Sequence, residues 1–418
     1  MDPLKDVDRD RGHRHEIDVV RLATFAAVIA LHSLGSVAQD EVGTGLALQF
    51  LHFGRETFFL VTGFVLVHAN LRKTLGATPA TVRFWRRRFA VVGLPYTVWT
   101  LVYWAGRLGD TSPWSGAGLS QLLSNLVFGS ARYHLYFLQV SMQVYLVFPL
   151  LLWLVRRTRG HHLPLLLASG VLQLTWFVVL QHVPAPGGWM QNLWTSPQRL
   201  LLSYQFYLVA GAVAACHRQR LAAWVRGNPR TVALVVALAL VLDLGVYGVK
   251  VAAGVNPLVA AEPLQPVFVL WGPAACLALL ALGLRFADRR RPGRLARSLA
   301  ETARISFGVY LAHPLVLTVT LEALGLSHGE SGLPVAVAFL IAWVCTAAGS
   351  ILLVEALSRT PLAIAFTGRP RVGRHPAGVS TSRGLAPRGV SPRRATRVPS
   401  GANAPTGPGS PPAGRNPP

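Results

Sequence analysis

Charge is what this 418-residue chain has least of: Asp, Glu, Lys and Arg together make up 14% of it. A soluble domain carries nearer a quarter, so an ordinary soluble globule is excluded. Lysine is almost missing, occurring only as Lys5, Lys73 and Lys250, and acidic residues number 17 against 40 basic ones. The resulting net charge of +23 would suggest nucleic acid in a soluble chain. Here 52% of the residues are hydrophobic and gathered into runs of bilayer length. The positive excess therefore reads as the loop bias of a membrane protein plus a basic tail, with no nucleic-acid partner. Cysteine is scarce as well: Cys216, Cys276 and Cys345 each fall within or at the end of an apolar run. They supply neither a disulfide framework nor metal-ligand spacing, and no His, Cys and carboxylate grouping suggests a metal.

What the chain does have is spans. Ten can be drawn, at about 17–38, 48–67, 89–106, 134–155, 163–182, 197–216, 231–249, 264–284, 304–324 and 334–357. Alternate loops hold 24 Lys and Arg on one side and 5 on the other, which puts both termini in the cytoplasm. The expected class is an all-α, polytopic membrane protein with about ten transmembrane helices. The arginine-rich, lysine-poor composition hints at a GC-rich bacterial genome, hence a bacterial plasma membrane. Residues 1–16 form a cytoplasmic N-terminal segment, 17–358 the membrane domain, and 359–418 a basic Pro/Gly/Ser-rich tail, disordered from about 368. Weak attraction of that tail to anionic lipid is one expectation, a solvated tail the other. Residues 117–128 are too short to span and suit an amphipathic helix on the outer surface. Trp104, Trp114, Trp189 and Trp194 fit an interfacial belt, and His161 and His162 a solvated loop. Ser36-Val37-Ala38 resembles a signal cleavage site, but the mixed-charge segment before Leu22 argues for a retained helix.

The first span keeps an arginine and a histidine. Arg21 and His32 lie eleven residues apart, about three turns, on one face and roughly 16 Å from each other. Asp18 stands one turn before Arg21, where the charges can pair. Ionisable groups inside an apolar span are costly and usually mark a functional path. Periodicity alone leaves the alternative open: a juxtamembrane arginine and a packed histidine.

Four further segments hold polar groups in or beside spans. They are Phe58-Phe59-Leu60-Val61-Thr62-Gly63-Phe64; Phe84-Trp85-Arg86-Arg87-Arg88-Phe89 leading to Leu94-Pro95-Tyr96; Tyr133-His134-Leu135-Tyr136-Phe137 with Gln143 to Pro149; and Ser306-Phe307-Gly308-Val309-Tyr310-Leu311-Ala312-His313-Pro314. With Ile17-Asp18-x-x-Arg21 and His32, this ordered set resembles the acyltransferase-3 family of integral membrane O-acyltransferases. Thr62 stands where serine is usual, and Val92 where many relatives carry an arginine three residues before the motif proline.

The resemblance implies transfer of an acyl group, most simply acetyl, from acyl-CoA to a hydroxyl of a glycan, lipid-linked sugar or glycosylated metabolite. Membrane lipid surrounds the enzyme, and no metal is called for. His32 is the candidate general base, its ordinary pKa of about 6.5 suiting the task. Arg21 is the second candidate catalytic residue, facing the donor or orienting the site through Asp18. Arg86 and Arg88 are candidate donor-binding residues, because guanidinium groups pair bidentately with phosphates; an ordinary positive-inside flank explains their charge nearly as well. Asp18, Glu56, Tyr136, Gln143, Tyr310 and His313 are candidate cavity residues. Glu56 could pair with Arg55 or fix the His32 tautomer. Arg132, Tyr136, Gln139 and Gln143 form a polar stripe that suits either an acceptor channel or interhelical hydrogen bonds. A transporter or flippase for polysaccharide or lipid-linked sugar is the rival from another class. No convincing repeat between 17–216 and 231–357 supports it.

Overall fold

A computed structural model describes residues 15–38, 41–71, 79–106, 115–188, 191, 194–289, 294–327 and 331–371. Expectations for residues 1–14 and 372–418, and for Arg72, Lys73, Trp114 and Trp189, fall outside the described residues. Those described form helices and no strand. In order they are α1 (His15–Val37), α2 (Val42–Leu51), α3 (Phe53–Asn70), α4 (Pro79–Ala105), α5 (Gly116–Phe128), α6 (Tyr136–Arg157) and α7 (His162–His182). There follow α8 (Gln205–Cys216), α9 (Arg218–Gly227), α10 (Pro229–Ala252), α11 (Pro257–Ala260), α12 (Phe268–Arg289), α13 (Arg294–Leu324), α14 (Val335–Ser358) and α15 (Ala363–Thr367).

By length and composition, eight of the described helical stretches can cross a membrane, α2 and α3 together making one of them. The third and sixth expected spans fall short for different reasons. Helix α4 is 27 residues long, but Arg83, Arg86, Arg87 and Arg88 occupy its first half. Helix α8 has only 12 residues and is extended on its amino side by 3-10 turns at Pro197–Arg199 and Leu201–Tyr204. Both stand where a span was expected. Pro95, Pro149, Pro273 and Pro314 each lie inside a long helix; the Tyr145 carbonyl freed by Pro149 accepts from Trp85 Nε1–H of α4 at 2.9 Å, and the Tyr310 carbonyl freed by Pro314 accepts from His313 Nδ1.

The helix on 117–128 is present as α5. Ser115 caps it by accepting from the Gly118 N–H at 3.0 Å, and Gly129 ends it in the left-handed region at φ 65°. Its Leu119, Leu123 and Val127 form an exposed apolar stripe at i, i+4, i+8, the arrangement of a helix lying in an interface. The loop reading of His162 is corrected: its ring is buried. Its Nε2–H donates to the Val155 carbonyl at 2.9 Å, so in the neutral ring Nδ1 accepts from His217 Nε2 at 2.8 Å.

The closest helix contact is between α3 and α8. A Cβ at Gly63 would lie 2.2 Å from the Leu208 carbonyl oxygen, and one at Gly211 would lie 1.8 Å from that of Leu60. Two backbones meet where only hydrogen fits, the small-residue crossing of membrane helices. Indole and phenol groups tie the other helices through backbone carbonyls. Trp343 bonds Ala26 at 3.1 Å, joining α14 to α1, and Tyr103 bonds Leu311 at 2.7 Å, joining α4 to α13.

Composition assigns residues 359–371 to the tail, yet they stay with the bundle: the first compact unit runs to Gly373, the second from Arg374. Trp99 donates to the Phe366 carbonyl at 3.0 Å and holds α15 against α4. The apolar run Leu362–Phe366 supplies the packing that the Pro- and Arg-rich surroundings conceal.

Candidate active site

Two cavities lie along α1. Its residues 21, 24, 25, 28, 31 and 32 form one stripe at helical spacing and line them. The larger cavity, about 240 Å³, is bordered by Arg21, Arg88, Arg304 and Arg369. The smaller, about 180 Å³, is bordered by His32, His52, Arg55, Tyr133, His134 and Tyr136. Thr24, Phe25, Phe58, Phe137 and Tyr310 line both, forming a shared wall. The rings in it are in contact: Phe58 and Phe137 centroids are 4.4 Å apart, and Tyr310 is 5.8 Å from both Phe25 and Phe137.

Three imidazoles from three elements cluster at the histidine cavity: His32 and His134 line it together with His52, and His313 packs behind them. His32 of α1 packs against Tyr133 at 4.2 Å between centroids and against His313 of α13 at 5.6 Å. His134, just before α6, lies 5.3 Å from His313. The Tyr310 hydroxyl donates to the His134 carbonyl at 2.8 Å, fixing α13 to the approach of α6. His313 Nδ1 donates to the Tyr310 carbonyl at 2.6 Å. The neutral ring therefore keeps its lone pair on Nε2, which is buried without a hydrogen-bond partner. Such a group is expensive in an apolar bundle unless something polar comes to it.

The other candidates fall into place unevenly. Asp18 is buried and acts electrostatically on Arg21. Arg88 lines the arginine cavity, its guanidinium 5.8 Å from the Phe84 ring centroid and 5.7 Å from that of Tyr145. Arg86 does not belong there: two positions of helix, about half a turn, put it on the opposite face, and Arg86 is exposed and absent from the lining. Glu56, itself buried, pairs with the partly buried Arg55 at 3.3 Å, and Gly272 leaves the room for its side chain. His32 has Tyr133 and His313 beside it instead of a carboxylate. Gln143 lines neither of these two cavities and acts as a structural clamp. It donates to the Arg199 carbonyl at 2.7 Å and accepts from the Leu201 N–H at 3.0 Å, satisfying the 3-10 turns before α8. Tyr136 faces the histidine cavity and Tyr310 both.

Three groups were not singled out from sequence. His134 sits in a quoted motif, but nothing in its spacing says that it meets His32 and His313. Arg304 looks like a loop cation, although it stands only two residues before Ser306 on the same helix. Arg369 lies in the presumed tail. Val92, where an arginine is usual in relatives, does line the arginine cavity.

Four guanidinium groups around one cavity suit a phosphorylated ligand, and a cluster of imidazoles behind a shared wall suits proton transfer. Among the described residues no group of three or more His, Cys, Asp or Glu is arranged to hold a metal ion.

A family model described as an acyltransferase domain matches residues 14–355. No curated protein and no solved structure gives a match.

Proposed function

Since the chain belongs to the acyltransferase-3 family and is a multi-pass membrane enzyme that transfers acyl groups, we propose that it moves an acetyl group from acetyl-CoA to a hydroxyl of a glycan, lipid-linked sugar or glycosylated metabolite. The observation that carries this reading is the shared wall. One face of α1 presents Arg21 to a cavity of arginines and His32 to a cavity of histidines.

In this reading Arg21, Arg88 and Arg304 bind the donor's phosphates, and Asp18 orients Arg21. The thioester reaches past Phe58 and Tyr310 toward His32. His32 takes the acceptor's hydroxyl proton as the oxygen attacks the thioester carbonyl. The new C–O ester bond forms and the C–S bond breaks. The proton held by His32 then passes to the departing thiolate, so the enzyme returns to its starting state. Arg55 and Arg132, near the same cavity, favour the negative charge that builds on the carbonyl oxygen. His313 and Tyr133 hold the His32 ring in place. A bacterial plasma membrane and modification of a surface polysaccharide follow from the same family reading and the composition.

The deciding experiment incubates purified full-length protein in nanodiscs with radiolabelled acetyl-CoA and a set of glycan acceptors. Labelled ester should form with the wild type and not with His32→Ala of equal yield and melting temperature. Transfer by His32→Ala at the wild-type rate would sink the assignment of the base.

A further inference from the structure

The arginine cavity receives one cation from outside the matched domain. Residues 14–355 match the family, yet Arg369, fourteen positions further on, borders this cavity with Arg21, Arg88 and Arg304. Building on the donor reading above, we propose that Arg369 is a phosphate ligand of the acyl donor and that residues 363–369 are a working part of the donor site.

The segment is placed, not trailing. Beyond the Trp99 bond, the Phe366 ring meets Trp99 edge-on at 5.8 Å. Gly368 turns the chain at φ 67°, and a Cβ there would lie 2.7 Å from the Val91 carbonyl oxygen. Only glycine gives both that backbone and that approach. The Thr367 hydroxyl accepts from the Arg369 N–H at 3.3 Å and fixes the exit from the turn. The turn thus sets Arg369 beside the Val91-Val92 stretch of α4, which offers the cavity no charge of its own.

Electrostatics then asks for an anion. The four arginines come from α1, α4, α13 and the turn after α15, so no local sequence constraint makes them neighbours. None of the described lining residues is acidic, and Asp18 acts on Arg21 from outside the lining. Burial, and then the charges of Arg304 and Arg21, draw the Arg369 pKa below the usual arginine value. Like charges held this close gain from a polyanion that bridges them. A donor's diphosphate or phosphomonoester is such a group, and so is an anionic lipid headgroup; the test separates the two.

Full-length wild type and Arg369→Ala, in nanodiscs of zwitterionic lipid, are titrated with CoA, with pantetheine and with inorganic pyrophosphate. Arg369→Ala should weaken CoA binding roughly tenfold or more, as loss of a charge-assisted bond predicts. Pantetheine, which lacks phosphate, should bind both proteins alike, and Arg369→Lys should recover part of the loss. Arg359→Ala, at an exposed arginine 4.0 Å from Glu355, should leave CoA binding unchanged. Truncation after Arg371 should keep CoA affinity, and truncation after Thr367 should lose it. Equal CoA affinity in wild type and Arg369→Ala overturns the proposal. So does an Arg369→Ala protein that keeps CoA affinity but retains less phosphatidylglycerol when the discs contain it. If pyrophosphate binding depends on Arg369 while CoA does not bind at all, the phosphate ligand stands and the donor assignment falls.

Discussion

The arginine cavity and the histidine cavity are built on the same helix face yet solve opposite problems. Around the first, four cations from four elements border a half-buried space with no acidic group among the described lining residues, so its energy is poor until an anion arrives. Around the second, His32, His134, His313 and Tyr133 pack ring against ring, and the charged Arg55 already has its partner in Glu56. One site is set to attract, the other to hold a few groups still. Binding energy gathered at one end of a substrate can then be spent on chemistry at the other.

Substitutions can break this division of labour. The largest effect is expected from His32→Ala, which should lower kcat by roughly a hundred- to ten-thousandfold, the usual worth of a general base, with little change in the donor KM. Labelled acetyl transfer reads both constants. A loss that appeared mainly in donor KM would put His32 in the binding cavity's role. Next comes Arg88→Ala, expected to raise donor KM about tenfold and to leave kcat within a few-fold. Arg86→Ala, about half a turn away on the exposed face, should change neither. If the two variants behaved alike, the cavity assignment of Arg88 would fail. Phe58→Leu trims the shared wall and should raise the rate with butyryl-CoA relative to acetyl-CoA several-fold. An unchanged ratio would mean that the acyl chain does not pass there.

The smallest effect lies away from both cavities and serves as their control. Burial, then His162 and Arg220, hold the His217 imidazole below its ordinary pKa. The unfolded chain therefore binds the proton first, and the stability held by the neutral ring is full above about pH 6.5. It is lost progressively as pH falls below that toward the lower folded value, because the charged ring is the one that burial and the neighbouring charges disfavour. The melting temperature of His217→Ala should lie below wild type at about pH 7.5, and the gap should narrow as pH falls below about 6.5, with kcat unaffected. A gap that did not change with pH would mean that His217 does not titrate differently in the folded chain.

Much of this arrangement was legible in one dimension because the bilayer imposes it. Apolar runs located the long helices to within a few residues at most ends, and Ser115 and Gly129 bracket α5 as capping chemistry requires. Arg21 and His32 were visible because a costly residue in an apolar run stands out, and helical spacing put them on one face. What could not be read depended on helices meeting in space. His134 joins the cluster only because α6 and α13 cross where Tyr310 reaches its carbonyl. Gln143 carries the same polarity as a channel residue but spends it on the turns at Arg199 and Leu201. Arg369 was masked by composition, because five apolar and small residues are too few to register against a proline-rich background. The third-span cation was half legible: Val92 faces the cavity as the motif expects, and the positive charge comes from elsewhere.

The contact of Gly63 with Gly211 has a mechanical consequence. Helix α3 can neither slide along α8 nor rotate against it without driving backbone into backbone, so the main chain that carries Phe58 behaves as the fixed jaw of a vice. Helix α1 is pinned in the same way, since a Cβ at Gly283 would lie 2.6 Å from the Glu16 carbonyl oxygen. Passage between the cavities then falls to the side chains of the wall, Phe25, Phe58, Phe137 and Tyr310, turning on a main chain that stays where it is.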